Sequence, residues 1–295
     1  MRSHRVLTVL AAGLAAAGWS AMGWATGPTA FAGCVGGTVT ASGSTALLPL
    51  AQKAATDYHA QCGSATVNVS GGGSSAGLSN VNSGTSDIGD SDVPASAAPG
   101  VNAANLQDHQ VAIVIFTVVA NNGAGVGNLT TAQVQSIFSG KVNNWSQVGG
   151  KNQAITLIER KPGSGTRFVF DKTVMGSVPE STTPAAQEDS TQLVMQAVSS
   201  QPGAVSYVGT ASMAGASNVT AVKLNGVSAD GPSVNAGTYP FFSHEHMYTR
   251  KSPAPPALAN DYINFIIAPG YQSSAVPAAG FLPLSTTTRQ SAADH

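Results

Sequence analysis

The chain has 295 residues, with 13 basic and 14 acidic side chains, a formal net charge of −1, and only 9% charged against 42% apolar residues. That length suits two ordinary domains or one large one, and the apolar content supports a packed core, which excludes a disordered chain. The near-neutral balance lacks the basic footprint of a nucleic-acid binder.

Residues 1–32 read as a secretory leader. Arg2 and Arg5 form a positive start, residues 6–17 are apolar, and Ala30-Phe31-Ala32 has the small-x-small pattern that a signal peptidase cuts. The competing reading, a membrane anchor, is weakened by the Gly, Pro and Ser that break the second half of the segment. Cleavage would place the mature chain in the periplasm or free outside the cell. No later segment is long and apolar enough to span a bilayer. Two cysteines remain, Cys34 and Cys62. In an exported protein an isolated pair most simply forms one disulfide. The alternative takes Phe31-Ala32-Gly33-Cys34 as a lipoprotein box with a lipidated Cys34, although Phe fits its first position poorly.

The pattern predicts a strand at 35–42 and a helix at 46–61, whose apolar face runs Leu47, Leu50, Ala51, Ala54 and Tyr58. A second strand follows at 66–70, then a Gly-rich turn and a short helix ending near Val81. A minimal strand at 87–89 leads into Asp90-Ser91-Asp92. Residues 110–120 are apolar and β-branched, a buried strand able to cross between lobes. Beyond them come a helix at 131–138, a strand at 154–158, a helix opening at Phe168, and another helix at 192–199. Strands at 203–208 and 219–224, a returning segment at 241–248 and a helix at 257–267 complete the series. Strands alternating with helices predict an α/β fold with mainly parallel pairing. The stretches 93–105 and 209–218 read as loops.

Three turns share one grammar, a strand followed by a small polar or glycine turn and then a helix. They are Ser42-Gly43-Ser44-Thr45, Gly73-Ser74-Ser75 and Ser164-Gly165-Thr166. Each aims amides and hydroxyls beyond the carboxyl ends of strands, where open α/β sheets bind ligands. One such turn is only an N-cap. Three of them, joined by the planar guanidinium of Arg160, point to a shared oxyanion pocket. Asp92 fits such a pocket only if the anion carries a proton for it to accept. Sulfate offers none at neutral pH and would strand the carboxylate. The bland reading makes Asp87, Asp90 and Asp92 a solvated acidic turn.

These residues resemble the periplasmic phosphate-binding proteins that feed the phosphate-specific ABC transporter, members of the type II periplasmic binding proteins. The resemblance covers essentially the whole mature chain. It rests on Gly43-Ser44-Thr45, Gly73-Ser74-Ser75-Ala76-Gly77, Ile88-Gly89-Asp90-Ser91-Asp92, Gly163-Ser164-Gly165-Thr166 with Phe168-Val169-Phe170, and Pro202-Gly203-Ala204-Val205-Ser206-Tyr207-Val208. It implies a two-lobed Venus-flytrap fold with residues 33–115 and 245–295 in one lobe and 116–244 in the other. It places phosphate contacts on Thr45, Ala46, Ser74, Asp92, Arg160, Ser164, Gly165 and Thr166. The implied partners are inorganic phosphate and an ABC permease, with a monomeric protein, no nucleic acid, no cofactor, no metal and no catalysis. Two departures stand out. Ala46 occupies a position where relatives carry an aromatic, and Lys161-Pro162 stand where many relatives carry an acid that helps hold the Arg. Arg167 either faces the pocket or caps a surface.

Other motifs compete. Gly73-Ser74-Ser75-Ala76-Gly77 fits a nucleophile elbow, which would make the chain a secreted serine hydrolase with Ser75 as nucleophile and Asp230 and His244 or His246 downstream. A binder of another tetrahedral oxyanion is a further alternative. Gly71-x-Gly73-x-x-Ala76 matches a dinucleotide fingerprint without its downstream acid. His244-Glu245-His246 suggests zinc but lacks a third ligand, so an exposed or hinge-proximal strand is the simpler expectation.

Overall fold

A computed structural model describes Met1 and residues 34–294, so the leader read at residues 1–32 lies outside the described segment. The chain begins as the pattern expects. β1 (Gly37–Gly43) leads into α1 (Leu48–Gln61), β2 (Ala65–Ser70), α2 (Ser74–Ser83) and β3 (Ile88–Ser91). β1 lies between β2 and β3 and is parallel to both. α1 buries Leu50, Ala51, Ala54 and Tyr58, the stripe that a one-sided helix requires.

β4 (Leu106–Asn121) is 16 residues long, roughly 50 Å at the strand rise. It is followed by β5 (Asn128–Leu129), α3 (Thr131–Phe138), β6 (Thr156–Arg160) and α4 (Gly165–Phe170), which a π turn extends from Asp171 to Met175. Next come β7 (Ala186–Glu188), α5 (Thr191–Ser200), β8 (Ala204–Gly209), β9 (Val219–Leu224) and α6 (Gly231–Asn235). β10 (Phe242–Arg250), α7 (Ala257–Ile267) and α8 (Pro269–Ala278) close the chain.

The strands run in the order β2-β1-β3-β10-β4-β8-β6-β7, with β9 also on β4 and β5 on β9. β4 changes partners midway. Leu106 to Ile115 pair with β10, whereas Phe116 to Asn121 pair with β8 and β9. Parallel pairing holds in the outer groups, β1 with β2 and β3, β6 with β7 and β8, and β5 with β9, but not at the centre of the sheet. β10 is antiparallel to β3 and β4, and β4 is antiparallel to β8 and β9. The reason is topological, because the two strands that carry the chain across and back run against their neighbours. β10 is also central rather than exposed, and His244, Glu245 and His246 are all buried.

β5, β7, α6 and α8 were not anticipated. The first three are too short to show a period, and α8 carries Pro269, Gly270 and Pro277, which read as breakers. One aromatic nucleus ties β8 to the helices around it: Phe170 stacks on Tyr207 at 4.1 Å and touches Phe138 at 4.7 Å and Phe241 at 5.4 Å.

Cys34 and Cys62 form a disulfide with Cα atoms 5.4 Å apart, which takes up the sulfur a lipid thioether would need. The bridge spans a separation of 28 residues, so loop-closure entropy assigns it about 3–4 kcal/mol. Replacing both cysteines by serine is expected to lower the urea midpoint by a corresponding amount, with little change in slope. An unchanged midpoint would show that the bridge is not a staple.

Candidate anion-binding site

The turn after β1 is built around Asp90. Gly43 has a φ of +143°, and a Cβ there would lie 2.0 Å from the Asp90 carbonyl oxygen, so only glycine fits. The Ser44 amide donates to that carbonyl at 2.9 Å. The Ser44 hydroxyl accepts from the amides of Ala46 (3.1 Å) and Leu47 (3.0 Å) and donates to Asp92 Oδ1. Asp92 is pinned at its backbone as well. Its amide donates to Ser74 Oγ at 3.0 Å, and its carbonyl accepts from Ser243 Oγ at 2.7 Å. Two of the three acids are thus not solvated, Asp92 being 1% exposed and Asp90 fully buried, while Asp87 stays partly exposed and bonds Thr40.

From the other side, β6 delivers Arg160, also 1% exposed. Lys161 and Pro162 leave it no neighbouring carboxylate, and main-chain carbonyls take that role. Arg160 donates from Nε to the Glu188 carbonyl (3.3 Å) and from Nη2 to the Asp189 carbonyl (3.0 Å), just past β7. The same guanidinium donates to Thr45 Oγ1 at 3.2 Å and to Thr166 Oγ1 at 3.4 Å. Burial lowers its pKa from the ordinary value, opposed first by the charge of Asp92. Lys161 instead pairs with the Asp189 carboxylate at the exposed rim. Arg167 faces away from the pocket, bonding the Arg160 carbonyl and pairing with Glu180 at 2.5 Å and Glu159 at 3.5 Å.

Contacts across the seam bring the two sets together. Thr166 Oγ1 donates to Asp92 Oδ2 at 2.8 Å, the Ser75 amide donates to the Gly163 carbonyl at 3.1 Å, and the hydroxyls of Thr45 and Thr191 lie 3.1 Å apart. Gly165 makes the approach possible, since a Cβ there would sit 2.3 Å from Ser74 Oγ and 2.8 Å from Asp92 Cβ. Gly165 and Thr166 open α4, so their amides have no acceptor within the helix. Ser164 caps the helix, its Oγ accepting from the Arg167 amide at 3.2 Å. A cavity of about 180 Å³, lined by Gly73, Ser75, Lys161, Gly163 and Asp189 among others, opens beside this cluster.

Every residue that the sequence assigned to the pocket is therefore drawn to one place: Thr45, Ala46, Ser74, Asp92, Arg160, Ser164, Gly165 and Thr166. In this arrangement the Ala46 amide turns back onto Ser44. Sequence reasoning missed Thr191, 0% exposed, whose amide donates to Thr45 Oγ1 at 3.2 Å. It also missed the two carbonyls that hold Arg160. A signal existed, because β7, Ser190 and α5 repeat the strand–turn–helix grammar a fourth time, but a strand of three residues shows no period.

The competing motifs do not assemble. Ser75 has no histidine partner among the described residues. His244 is taken by Asp294 and His246 by Asp108, each at 2.8 Å, and Asp230 caps α6.

Two half-sheets joined through β4 and β10, with an anion-suited seam at the ends of β1, β3 and β6, define a periplasmic binding protein. A family model described as a PBP superfamily domain matches residues 28–269, and the chain belongs to that superfamily. Within it the chain is a member of the phosphate-binding proteins. It is 35% identical over 250 residues to the phosphate-binding protein PstS of Bacillus subtilis (strain 168), covering 84% of this chain and 81% of that one. Solved structures share the fold. A phosphate ABC transporter substrate-binding protein from Clostridium perfringens, with bound phosphate, has a TM-score of 0.76 at 24% identity, over 84% of this chain and all of that one (100%). An ABC-type phosphate transport receptor from Vibrio cholerae has a TM-score of 0.63 at 24% identity, with the same coverage of 84% and 100%.

Proposed function

We propose that this protein captures inorganic phosphate outside the cytoplasm and presents it to the permease of an ABC importer, acting as a monomeric receptor and not as an enzyme. The observation that carries the reading is the pairing of one buried guanidinium with one buried carboxylate around a set of hydroxyls and helix amides. Arg160, Ser74, Thr45, Ser164, Thr166 and the amides of Ala46, Gly165 and Thr166 supply donors for a tetrahedral anion, while Asp92 supplies an acceptor for its protonated oxygen.

Phosphate replaces the contacts these groups make with one another and bridges two lobes. One lobe comprises residues 33–115 and 245–295, and the other residues 116–244. What supports the division is the change of partner in β4 at Ile115 and Phe116, together with the register irregularity in β10 between Glu245 and His246. These two crossings act as the hinges, and donors from both lobes make the closed state the liganded one. The disulfide and the leader-like start agree with export.

Isothermal titration of the dialysed protein tests the proposal. Phosphate is expected to give a saturating heat and sulfate none. Silence toward phosphate, or equal heats from the two anions, would overturn it.

A further inference from the structure

Beneath Asp92 lie two carboxyl groups that anion capture does not use. Asp90 precedes it by two residues. Glu245 sits on β10, whose register sets His246 opposite Ser91 and so brings Glu245 level with Asp92. Both residues are 0% exposed; neither carboxyl oxygen of Asp90 has a hydrogen-bond partner among the described residues, and the group that reaches the Glu245 carboxyl is Asp92, another acid. The titratable groups around them are Asp92, each other, and Tyr262 of α7, whose hydroxyl donates to the Ala51 carbonyl at 2.7 Å. Arg160 faces Asp92 from the far side of the seam. His244 and His246 are paired with other acids, Asp294 and Asp108.

Three carboxyl groups at 0–1% exposure, with no cation of their own among the described residues, cannot all be ionised. Of the three, Asp92 is the one that receives hydroxyl donors, from Ser44 and Thr166. Burial, then the charge of Asp92, pushes Asp90 up to about 8. Burial, then Asp92 and Asp90, raises Glu245 well above the ordinary carboxylate range.

We propose that Asp90 and Glu245 are a buried pair of neutral carboxylic acids that sets the charge of the pocket floor beside Asp92, so that a charge gained by Asp90 weakens phosphate binding. The physical cause is direct. An extra charge on Asp90, close enough to Asp92 to feel its charge, adds to the negative field in a low-dielectric floor and opposes an incoming negative ligand. The effect concerns phosphate affinity and so rests on the phosphate-binding reading, whereas the protonation state does not.

Phosphate titrations between pH 6 and pH 9 would compare wild type with Asp90→Asn, taking the ratio of dissociation constants at each pH so that the ligand's own ionisation cancels. The ratio is expected to be near one at pH 6, with wild type at least about tenfold weaker than the variant at pH 9. A ratio that stays flat would overturn the affinity-setting role. Difference infrared spectra decide the protonation independently. At pH 7 wild type is expected to show protonated-carboxyl bands, one lost in Asp90→Asn and another in Glu245→Gln. Burial also pushes Glu180 up to about 8, so a band that fades as pH rises and persists in Glu180→Gln supports the proposal even if Asp90→Asn fails to fold, and the absence of any such band overturns it. A wild type that binds no phosphate at any pH would sink the phosphate reading and the affinity role with it, while the infrared bands would still establish or refute the neutral pair.

Discussion

Arg160→Ala is expected to weaken phosphate binding by at least about a hundredfold. Among the described residues Arg160 is the one buried cation at the seam, and its guanidinium is already fixed by the Glu188 and Asp189 carbonyls with further N–H groups turned to Thr45 and Thr166. A charge-assisted hydrogen bond contributes about 1.5–3 kcal/mol, and a planar fork reaches two oxygens of a tetrahedral anion at once. Losing even one such contact and a half gives about 3 kcal/mol, or two factors of ten in affinity. Arg160→Lys keeps the charge but not the fork. It cannot donate to both carbonyls and the anion together, so its affinity should fall between those of wild type and alanine. Calorimetric titration measures all three. A lysine variant equal to wild type would show that the site reads charge alone, and an alanine variant within threefold would remove Arg160 from the site.

The second large effect concerns which anion is admitted. Asp92→Asn is expected to lower the preference for phosphate over sulfate by at least about a hundredfold. In wild type both carboxylate oxygens are oriented by hydroxyls, Oδ1 by Ser44 and Oδ2 by Thr166 at 2.8 Å. Each retains a lone pair for a protonated ligand oxygen. Sulfate offers no proton, so it would leave a buried carboxylate facing another negative oxygen, a penalty of about 3 kcal/mol or more. An amide of the same shape can donate to either anion. Paired titrations with phosphate and sulfate give the ratio directly. If the ratio survives the substitution, Asp92 does not read the proton and selectivity lies elsewhere.

The two expectations also explain why the scaffold tolerates Lys161-Pro162. Many relatives were expected to hold the arginine with an acid in that stretch, and here the main chain does so. Carbonyls at the end of β7 are held in place by that strand's pairing with β6, where Arg160 lies opposite Glu188. The carbonyl anchor carries no net charge, so it orients the guanidinium without neutralising it. Lys161 is thereby free to pair with Asp189 at the rim.

The site was legible in sequence wherever its logic is local. A turn that needs glycine at positive φ, a serine that caps a helix and a strand that runs into them are all set by a few neighbouring residues. Ser44-Thr45, Ser74 and Ser164-Gly165-Thr166 could therefore be read from their motifs, and so could α1 from its stripe. The arginine's anchor was not legible, because it depends on β7, which is three residues long and gains its order only by pairing with β6. The direction of Arg167 was open for a similar reason. Its partners, Glu159 and Glu180, are acids eight and thirteen positions away that the fold alone brings beside it.

By itself the sequence determined which hydroxyls, amides and charged groups gather at the seam and the class of fold, since strand–turn–helix units encode both over short spans. Only the tertiary structure decided their electrostatic setting. Asp90 and Glu245 look like ordinary surface acids in the sequence, one in an acidic turn and one between two histidines. They become buried neighbours because β3 and β10 lie side by side, a pairing that joins residues more than 150 positions apart. Ionisation depends on that burial and on the charges brought near, and neither is a property of a local segment.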